Sequence, residues 1–125
     1  MSNFPVISII DDDESVRVAM KSLVSSLGLV VHTFPSVEEF LQSPYMDETS
    51  CLIADVQMPG ISGIELQNLL IAQGQHIPIV FITAFPEERL RARLLKAGAV
   101  GFLDKPFDEQ SLLQCIDMAL KRARR

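Results

Sequence analysis

The sequence lacks the features by which membrane, secreted and thiolate-metal proteins are recognised. No apolar run approaches the roughly 20 residues that a membrane-spanning helix needs. The first residues, MSNFPV, do not have the basic and then apolar organisation of a secretion signal. The two cysteines, Cys51 and Cys115, are too far apart for a metal-ligand spacing. We therefore expect a cytoplasmic protein with reduced thiols and no membrane association.

Positive charge is also scarce. The 11 lysines and arginines are outnumbered by 16 acidic residues, which gives a net charge of −5 at pH 7. Because nucleic-acid binding depends on neutralising phosphates, this balance predicts no direct nucleic-acid binding by this domain. Basic residues are concentrated in the last segment, LKRARR (120–125). They suit the negative end of a helix dipole, and the alternative is that a linker to another domain begins there.

The chain of 125 residues has the length of one domain, 1–125, and its apolar pattern repeats five times. Short apolar runs alternate with stretches of helical spacing, and several runs are apolar throughout, as in parallel strands covered on both faces. The predicted fold is therefore α/β, a doubly wound (βα)5 domain with a five-stranded parallel sheet and helices on both faces. The predicted strands are 6–10, 29–34, 51–55, 77–83 and 100–104.

The predicted helices have recognisable ends. Gly28 is placed to end the first helix, and Ser36 followed by Glu39 indicates a capping box at the start of the second. The fourth helix is predicted to begin at Pro86, and Asp108 is predicted to cap the last.

Polar residues end or follow four of the five predicted strands at their carboxyl ends. In a parallel sheet these ends share one edge, and ligands bind beyond it where the strand order reverses. The residues expected at this edge are Asp11, Asp12, Asp13, Asp55, Thr83 and Lys105.

So many carboxylates in one place need a compensating charge. Two unit charges about 4 Å apart repel by roughly 4 kcal/mol at an effective dielectric constant of 20. Mg²⁺ prefers oxygen ligands at about 2.1 Å, so Asp11, Asp12 and Asp55 are predicted to bind it. The positive charge of Lys105 and the hydroxyl of Thr83 suit a transferring phosphoryl group. Asp55 is then the candidate nucleophile, forming an aspartyl phosphate.

Four motifs together resemble the receiver domain of two-component response regulators. They are IIDDDE, IADVQMPGISG, FITA and GFLDKPF, in this order, and the resemblance covers essentially the whole chain. The MPGISG and DKPF elements, with SVEEFL and KAGAVGF, are similar to the FixJ-like branch. The resemblance implies the CheY-like, flavodoxin-like form of the predicted fold.

The resemblance also implies roles for the acidic residues and the residue after the acceptor. Asp55 matches the phosphoacceptor. Asp12 matches the direct Mg²⁺ ligand, and Asp11 the ligand that acts through water. Gln57 is expected to offer the metal its backbone carbonyl.

The switch residues are implied in the same way. Thr83 matches the switch hydroxyl, and Phe102 matches the aromatic residue that turns inward when the threonine moves. Lys105 matches the lysine that pairs with the phosphoryl group, and its bond to Pro106 is expected to be cis.

The resemblance implies partners as well. A sensor histidine kinase is the expected phosphoryl donor, and phosphorylation is expected to produce a homodimer through the fourth helix and fifth strand. A FixJ-like receiver normally precedes a helix-turn-helix DNA-binding domain, so control of transcription by an output domain outside this chain is expected. The segment after Thr83 departs from many FixJ-like sequences, and its bulky Phe85 suggests a shield against water attack on a phosphorylated Asp55.

The residues favour the receiver over three other functions, and several site residues also have structural alternatives. Asp11-x-Asp13 is also the D-x-D motif of haloacid-dehalogenase-like phosphatases, but the chain is short, lacks a cap domain and has no paired acidic motif late in the sequence. A flavodoxin-like electron carrier would need a phosphate loop after the first strand, and a receiver used only for docking would not need every site residue. Asp13 is more readily a helix cap than a metal ligand, and Phe102 alone is more readily a core residue than a switch.

Overall fold

The computed structural model describes residues 5–57 and 60–123 and has the predicted α/β architecture. Five strands alternate with five helices, and a short 3-10 helix lies at Met46–Glu48. The strands are β1 Val6–Ile10, β2 Val30–Phe34, β3 Cys51–Asp55, β4 Ile79–Thr83 and β5 Gly101–Asp104. The helices are α1 Glu14–Ser25, α2 Val37–Leu41, α3 Gly63–Ala72, α4 Glu88–Lys96 and α5 Glu109–Ala123. In this part of the chain no helix is long and apolar enough to cross a membrane.

All pairings in the sheet are parallel, and the strand order is β2-β1-β3-β4-β5. The chain moves outward from β1 to β2 and then crosses to the other side of β1 to form β3. The order therefore reverses between β1 and β3, which is where a doubly wound sheet opens a crevice at its carboxyl edge.

Two apolar layers cover the sheet. The residues of β1, β3 and β4 are all buried, which explains why these strands lack an alternation of polar and apolar residues. One face packs against α1 and α5, through Met20, Val24, Leu112 and Ile116. The other packs against α2, α3 and α4, through Val37, Phe40, Leu66, Leu70 and Leu94.

Most predicted helix starts are confirmed. Asp13 caps α1, because its carboxylate accepts a hydrogen bond of 2.9 Å from the Ser15 amide. Asp108 accepts in the same way from Ser111 at 2.7 Å. At α2 the Ser36 hydroxyl accepts from the Glu39 amide at 3.2 Å, so Ser36 is the cap, but the return bond from the Glu39 side chain that the predicted capping box requires is not among the contacts of α2.

Other boundaries differ from the prediction. The reciprocal capping box, which the sequence interpretation did not single out, joins Ser62 and Glu65 at the start of α3. Helix α4 begins at Glu88 rather than at Pro86, because Glu87 still has an extended backbone. Strand β4 begins at Ile79, after Pro78, which has no N–H group to donate to the sheet.

Gly63 allows α3 to approach the segment that follows Asp55. Its amide donates to the Val56 carbonyl at 3.0 Å. A Cβ at Gly63 would lie 3.1 Å from the Val56 Cα and 3.0 Å from the ring of the fully buried Phe81. These distances are tighter than ordinary Cβ contacts, so a side chain at this position would push the Val56 backbone or the Phe81 ring out of place.

We predict that Gly63→Ala lowers the free energy of unfolding by about 2 kcal/mol because of this overpacking. Without the clash, alanine would raise helix stability by about 1 kcal/mol relative to glycine. Urea denaturation measures the change, and Asn68→Ala at an exposed position of α3 is the matched control, with little change or a small gain expected. A Gly63→Ala protein as stable as the wild type would contradict the close approach.

Candidate functional site

The crevice between β1 and β3 brings two carboxylates together. Asp11 directly follows β1, and Asp55 is the last residue of β3. Asp11 is completely buried, and Asp55 is 6% exposed. Each uses one oxygen in the same way: Asp11 Oδ1 accepts from the Asp13 amide at 2.9 Å, and Asp55 Oδ1 accepts from the Gln57 amide at 2.8 Å. These local bonds fix the directions of both carboxylates.

The second oxygen of each carboxylate binds Lys105. Its Nζ lies 2.9 Å from Asp11 Oδ2 and 2.7 Å from Asp55 Oδ2. Partial burial alone would lower the pKa of Lys105, but the hydrogen bonds to Asp55 and Asp11 outweigh this effect and raise the pKa above its ordinary value. The ammonium therefore stays charged at neutral pH and holds two otherwise repelling carboxylates side by side. The Lys105–Pro106 bond is cis, as expected.

Asp12 completes an acidic cluster. One ligand oxygen from each of Asp11, Asp12 and Asp55 lies within 4.8 Å of the others. Asp12 is exposed, so the cluster opens to solvent on its side. Three carboxylates at one accessible point match the oxygen donors that Mg²⁺ prefers, and the site residues therefore fit this cation.

Thr83 and Phe102 lie near the cluster along the sheet. Thr83 ends β4 and is fully buried, and its Oγ1 accepts a hydrogen bond of 3.0 Å from the Phe85 amide. Phe102 is 8% exposed and already packs in the apolar layer beside α4. The Phe85 side chain is 70% exposed. In this conformation the Thr83 hydroxyl is hydrogen-bonded within the β4–α4 turn, and the Phe102 ring of β5 is buried in the core.

The structure brings most of the predicted site residues together at the carboxyl edge of the sheet, and it places the Asp13 carboxylate outside this group. Asp11, Asp12, Asp55 and Lys105 meet, whereas the Asp13 carboxylate is used as the α1 cap. The backbone amide of Gln57 binds the Asp55 carboxylate, and the metal-binding role of the Gln57 carbonyl stays a prediction. Met58 and Pro59, which belong to the IADVQMPGISG motif, lie outside the described residues.

One residue near the cluster was missed by the sequence interpretation. Arg17 donates from Nη1 to the main-chain carbonyl of Asp11 at 2.6 Å. The only hint in the sequence is a cation close to a predicted helix N-terminus, where positive charge is unfavourable.

The remaining reactive side chains lie outside the site. Both cysteines are free thiols, and burial raises the pKa of Cys51 to about 12, with a smaller contribution from Cys115. A thiol with so high a pKa carries almost no reactive thiolate at neutral pH. His32 stacks on Tyr45 with ring centroids 3.7 Å apart, and His76 is exposed.

Comparison with known proteins gives a consistent set of similarities. The sequence profile of the family described as "Response regulator receiver domain" matches residues 7–117. The chain is 45% identical over 118 residues to response regulator protein TodT of Pseudomonas putida, covering 94% of this chain and 52% of that protein. It is 42% identical over 120 residues to Nodulation protein W of Bradyrhizobium diazoefficiens, covering 96% of this chain and 53% of that protein.

A solved structure supports the same similarity over a whole domain. The structure of FixJ-N superposes with a TM-score of 0.83 at 30% identity, covering 97% of this chain and 96% of that one. By contrast, the chain spans about half the length of the curated relatives it matches.

We predict that Lys105→Met lowers the free energy of unfolding by about 2 kcal/mol in the absence of divalent cations, because Asp11 and Asp55 lose their shared counter-charge. Urea denaturation with and without Mg²⁺ measures this loss, and saturating Mg²⁺ is expected to recover part of it by binding the folded state. The control is Lys121→Met, which breaks the exposed ion pair of 3.0 Å with Asp117 and is expected to change little. Equal effects of the two substitutions would contradict a structural role for the Lys105 bridge.

Proposed function

Because this chain belongs to the response regulator receiver domain family, which acts in two-component signalling, we propose that Asp55 accepts a phosphoryl group from a sensor histidine kinase in a Mg²⁺-dependent transfer. The observation that carries this proposal is the Lys105 ammonium bound to both Asp55 and Asp11 beside an open acidic cluster. It provides a nucleophile, a fixed positive charge and a set of cation ligands within one crevice.

The choice of Asp55 over its neighbours follows from access and contacts. Asp11 is fully enclosed, so a phosphoryl donor reaches Asp55 more readily. Asp12 is accessible, but the ammonium that would stabilise a transferring group binds Asp55 and Asp11. The Gln57 amide holds one Asp55 oxygen and therefore orients the carboxylate for attack.

The transfer is a displacement at phosphorus. An Asp55 oxygen attacks, an oxygen–phosphorus bond forms, and the nitrogen–phosphorus bond to the kinase histidine breaks. The electron pair of that bond returns to the imidazole nitrogen, and the ring, protonated on its other nitrogen, leaves neutral. Lys105 is placed to follow the phosphoryl oxygens, because its ammonium already lies 2.7 Å from Asp55 Oδ2.

Mg²⁺, when bound, supplies charge neutralisation for the phosphoryl oxygens. The residues proposed to hold it are Asp11, Asp12 and Asp55, together with the backbone carbonyl of Gln57. Their contribution is to collect oxygen donors at the one place where the nucleophile and the lysine also meet.

Phosphorylation would act on the rest of the domain through Thr83. Its hydroxyl now accepts from the Phe85 amide, so turning it toward a phosphoryl group on Asp55 would release the β4–α4 turn. Phe102 is already buried, so the main change would fall on this turn and on α4. Phosphorylation needs only to favour one of two pre-existing arrangements.

The partners follow from the family rather than from contacts in this structure. We propose that the phosphorylated domain forms a homodimer through α4 and β5. The curated relatives are about twice as long as the matched region, which supports an output domain, and the FixJ-like resemblance is the reason to propose that this domain binds DNA and controls transcription. The free thiols agree with a cytoplasmic location.

The rival phosphatase function would use Asp11 as nucleophile and Asp13 as its partner. The structure gives Asp13 a different partner, the Ser15 amide, and the acidic cluster consists of the other three residues. These contacts favour the receiver mechanism.

We predict that incubation with Mg²⁺ and acetyl phosphate adds one phosphoryl group to the wild-type protein and none to Asp55→Asn, because the nucleophile is lost. Intact mass spectrometry measures the adduct, with omission of Mg²⁺ as a second negative condition. Asp13→Asn is the matched control and is expected to remain phosphorylated, since asparagine also caps helices well. An adduct that persists in Asp55→Asn and disappears in Asp11→Asn would instead support the phosphatase function.

We predict that Phe85→Ala speeds the loss of the phosphoryl group about fivefold, equivalent to about 1 kcal/mol in the barrier. The reason is that release of the turn would allow the Phe85 ring to cover the phosphorylated carboxylate and exclude water. The decay of the phosphorylated protein, followed by mass spectrometry, measures the rate. Tyr45→Ala, which removes another exposed aromatic ring, is the control, and equal decay rates in all three proteins would contradict the shielding role.

A further inference from the structure

Arg17 occupies a position that helix electrostatics disfavours. It is the fourth residue of α1, close to the positive end of the helix dipole, where a cation is unfavourable. Its side chain is half-buried and folds back so that Nη1 donates to the Asp11 carbonyl at 2.6 Å. A charged donor at this distance makes one of the stronger kinds of hydrogen bond.

The carbonyl that Arg17 binds lies just beyond the sheet. The pairing of β1 with its neighbours ends at Ile10, so the Asp11 carbonyl lies past the paired residues. The other polar groups of Asp11 also have partners. Its amide donates to Phe34 at 3.1 Å, and its carboxylate oxygens bind the Asp13 amide and Lys105. With Arg17 added, all four polar groups of Asp11 are bound.

These contacts fix the backbone on both sides of Asp12. Arg17 holds the peptide group between Asp11 and Asp12, and Asp11 Oδ1 holds the amide of Asp13. Asp12 itself is exposed, so the direction of its carboxylate depends on the conformation of this short turn. That carboxylate is one of the three that form the acidic cluster.

We propose that Arg17 is a positioning residue for the cation site: it fixes the Asp11–Asp12 peptide so that the Asp12 carboxylate points into the cluster. The inference rests on the proposed Mg²⁺-dependent function and adds a residue to it. Residues behind metal ligands commonly change metal affinity by about 10–100-fold when they are replaced.

The positive charge of Arg17, considered alone, would change the Mg²⁺ affinity in the opposite direction from its positioning role. A guanidinium near the cluster repels Mg²⁺, so an arginine that acted only through its charge would weaken binding, and its removal would tighten it. A positioning residue would give weaker binding on removal. The sign of the change in Mg²⁺ affinity therefore distinguishes the two roles.

The experiment is a Mg²⁺ titration of the unphosphorylated protein, followed by the backbone amide resonances of Asp12 and Gln57. We expect Arg17→Met to bind Mg²⁺ about tenfold more weakly than the wild type. Arg91→Met, at an exposed position of α4, removes the same charge at a distance and is expected to bind like the wild type. Equal or tighter binding by Arg17→Met would overturn the proposal.

A second variant covers the case in which Arg17→Met does not fold. Arg17→Lys keeps the charge but loses the planar fork of donors, so positioning predicts weaker binding than in the wild type, whereas charge alone predicts no change. Hydrogen exchange of the Asp13 amide adds a readout without Mg²⁺, and faster exchange is expected in both variants. Failure of the wild-type protein to bind Mg²⁺ would overturn the proposed function as well. Normal wild-type binding with unchanged binding by the variants would overturn this inference alone.

Discussion

The contact on which the rest of the site depends is the Lys105 ammonium shared by Asp11 and Asp55. The three residues come from the ends of β5, β1 and β3, and β4 lies between β3 and β5. The lysine side chain must therefore extend past the end of β4, where Thr83 is the last residue. The Lys105 amide donates to the Thr83 carbonyl at 2.6 Å, which anchors the lysine backbone beside this strand end. The strand order thus places Thr83 next to the path of the bridging lysine.

This arrangement supplies the contacts through which the proposed phosphorylation of Asp55 would act on α4. Lys105 and Thr83 share the carboxyl edge of the sheet, and Thr83 holds the Phe85 amide at the start of the turn into α4. Within the described residues, α4 has one buried side chain, Leu94, and the Gln67 side chain donates from Nε2 to the Leu94 carbonyl at 3.1 Å. A helix with so small a buried surface changes position at low cost, because little apolar area is exposed when it moves.

The features that depend on local sequence could be predicted, and those that depend on side-chain direction could not. Apolar runs identified the strands, and the positions of Asp11, Asp55 and Lys105 after them identified the edge of the site. The hydrogen bond from Arg17 to the Asp11 carbonyl depends on how α1 is oriented relative to β1. The spacing of residues in the sequence does not predict that orientation. The direction of the Thr83 hydroxyl depends on the turn after β4, whose Phe85 amide it accepts from, and the residue type alone does not specify it. The late start of α4 reflects the extended backbone of Glu87, which propensities did not reveal.

Three consecutive aspartates can coexist because the turn after β1 gives each a different environment. Asp11 is buried against an ammonium, Asp12 faces solvent, and Asp13 binds an amide at the positive end of α1. Three carboxylates in one environment would repel by several kcal/mol, at roughly 4 kcal/mol for each close pair. The Lys105 ammonium offsets one of the two charges of Asp11 and Asp55, and the exposed carboxylate of Asp12 lies beside this pair. The same turn therefore starts α1, places Asp11 against the lysine and presents Asp12 to solvent, so three separate requirements constrain its geometry.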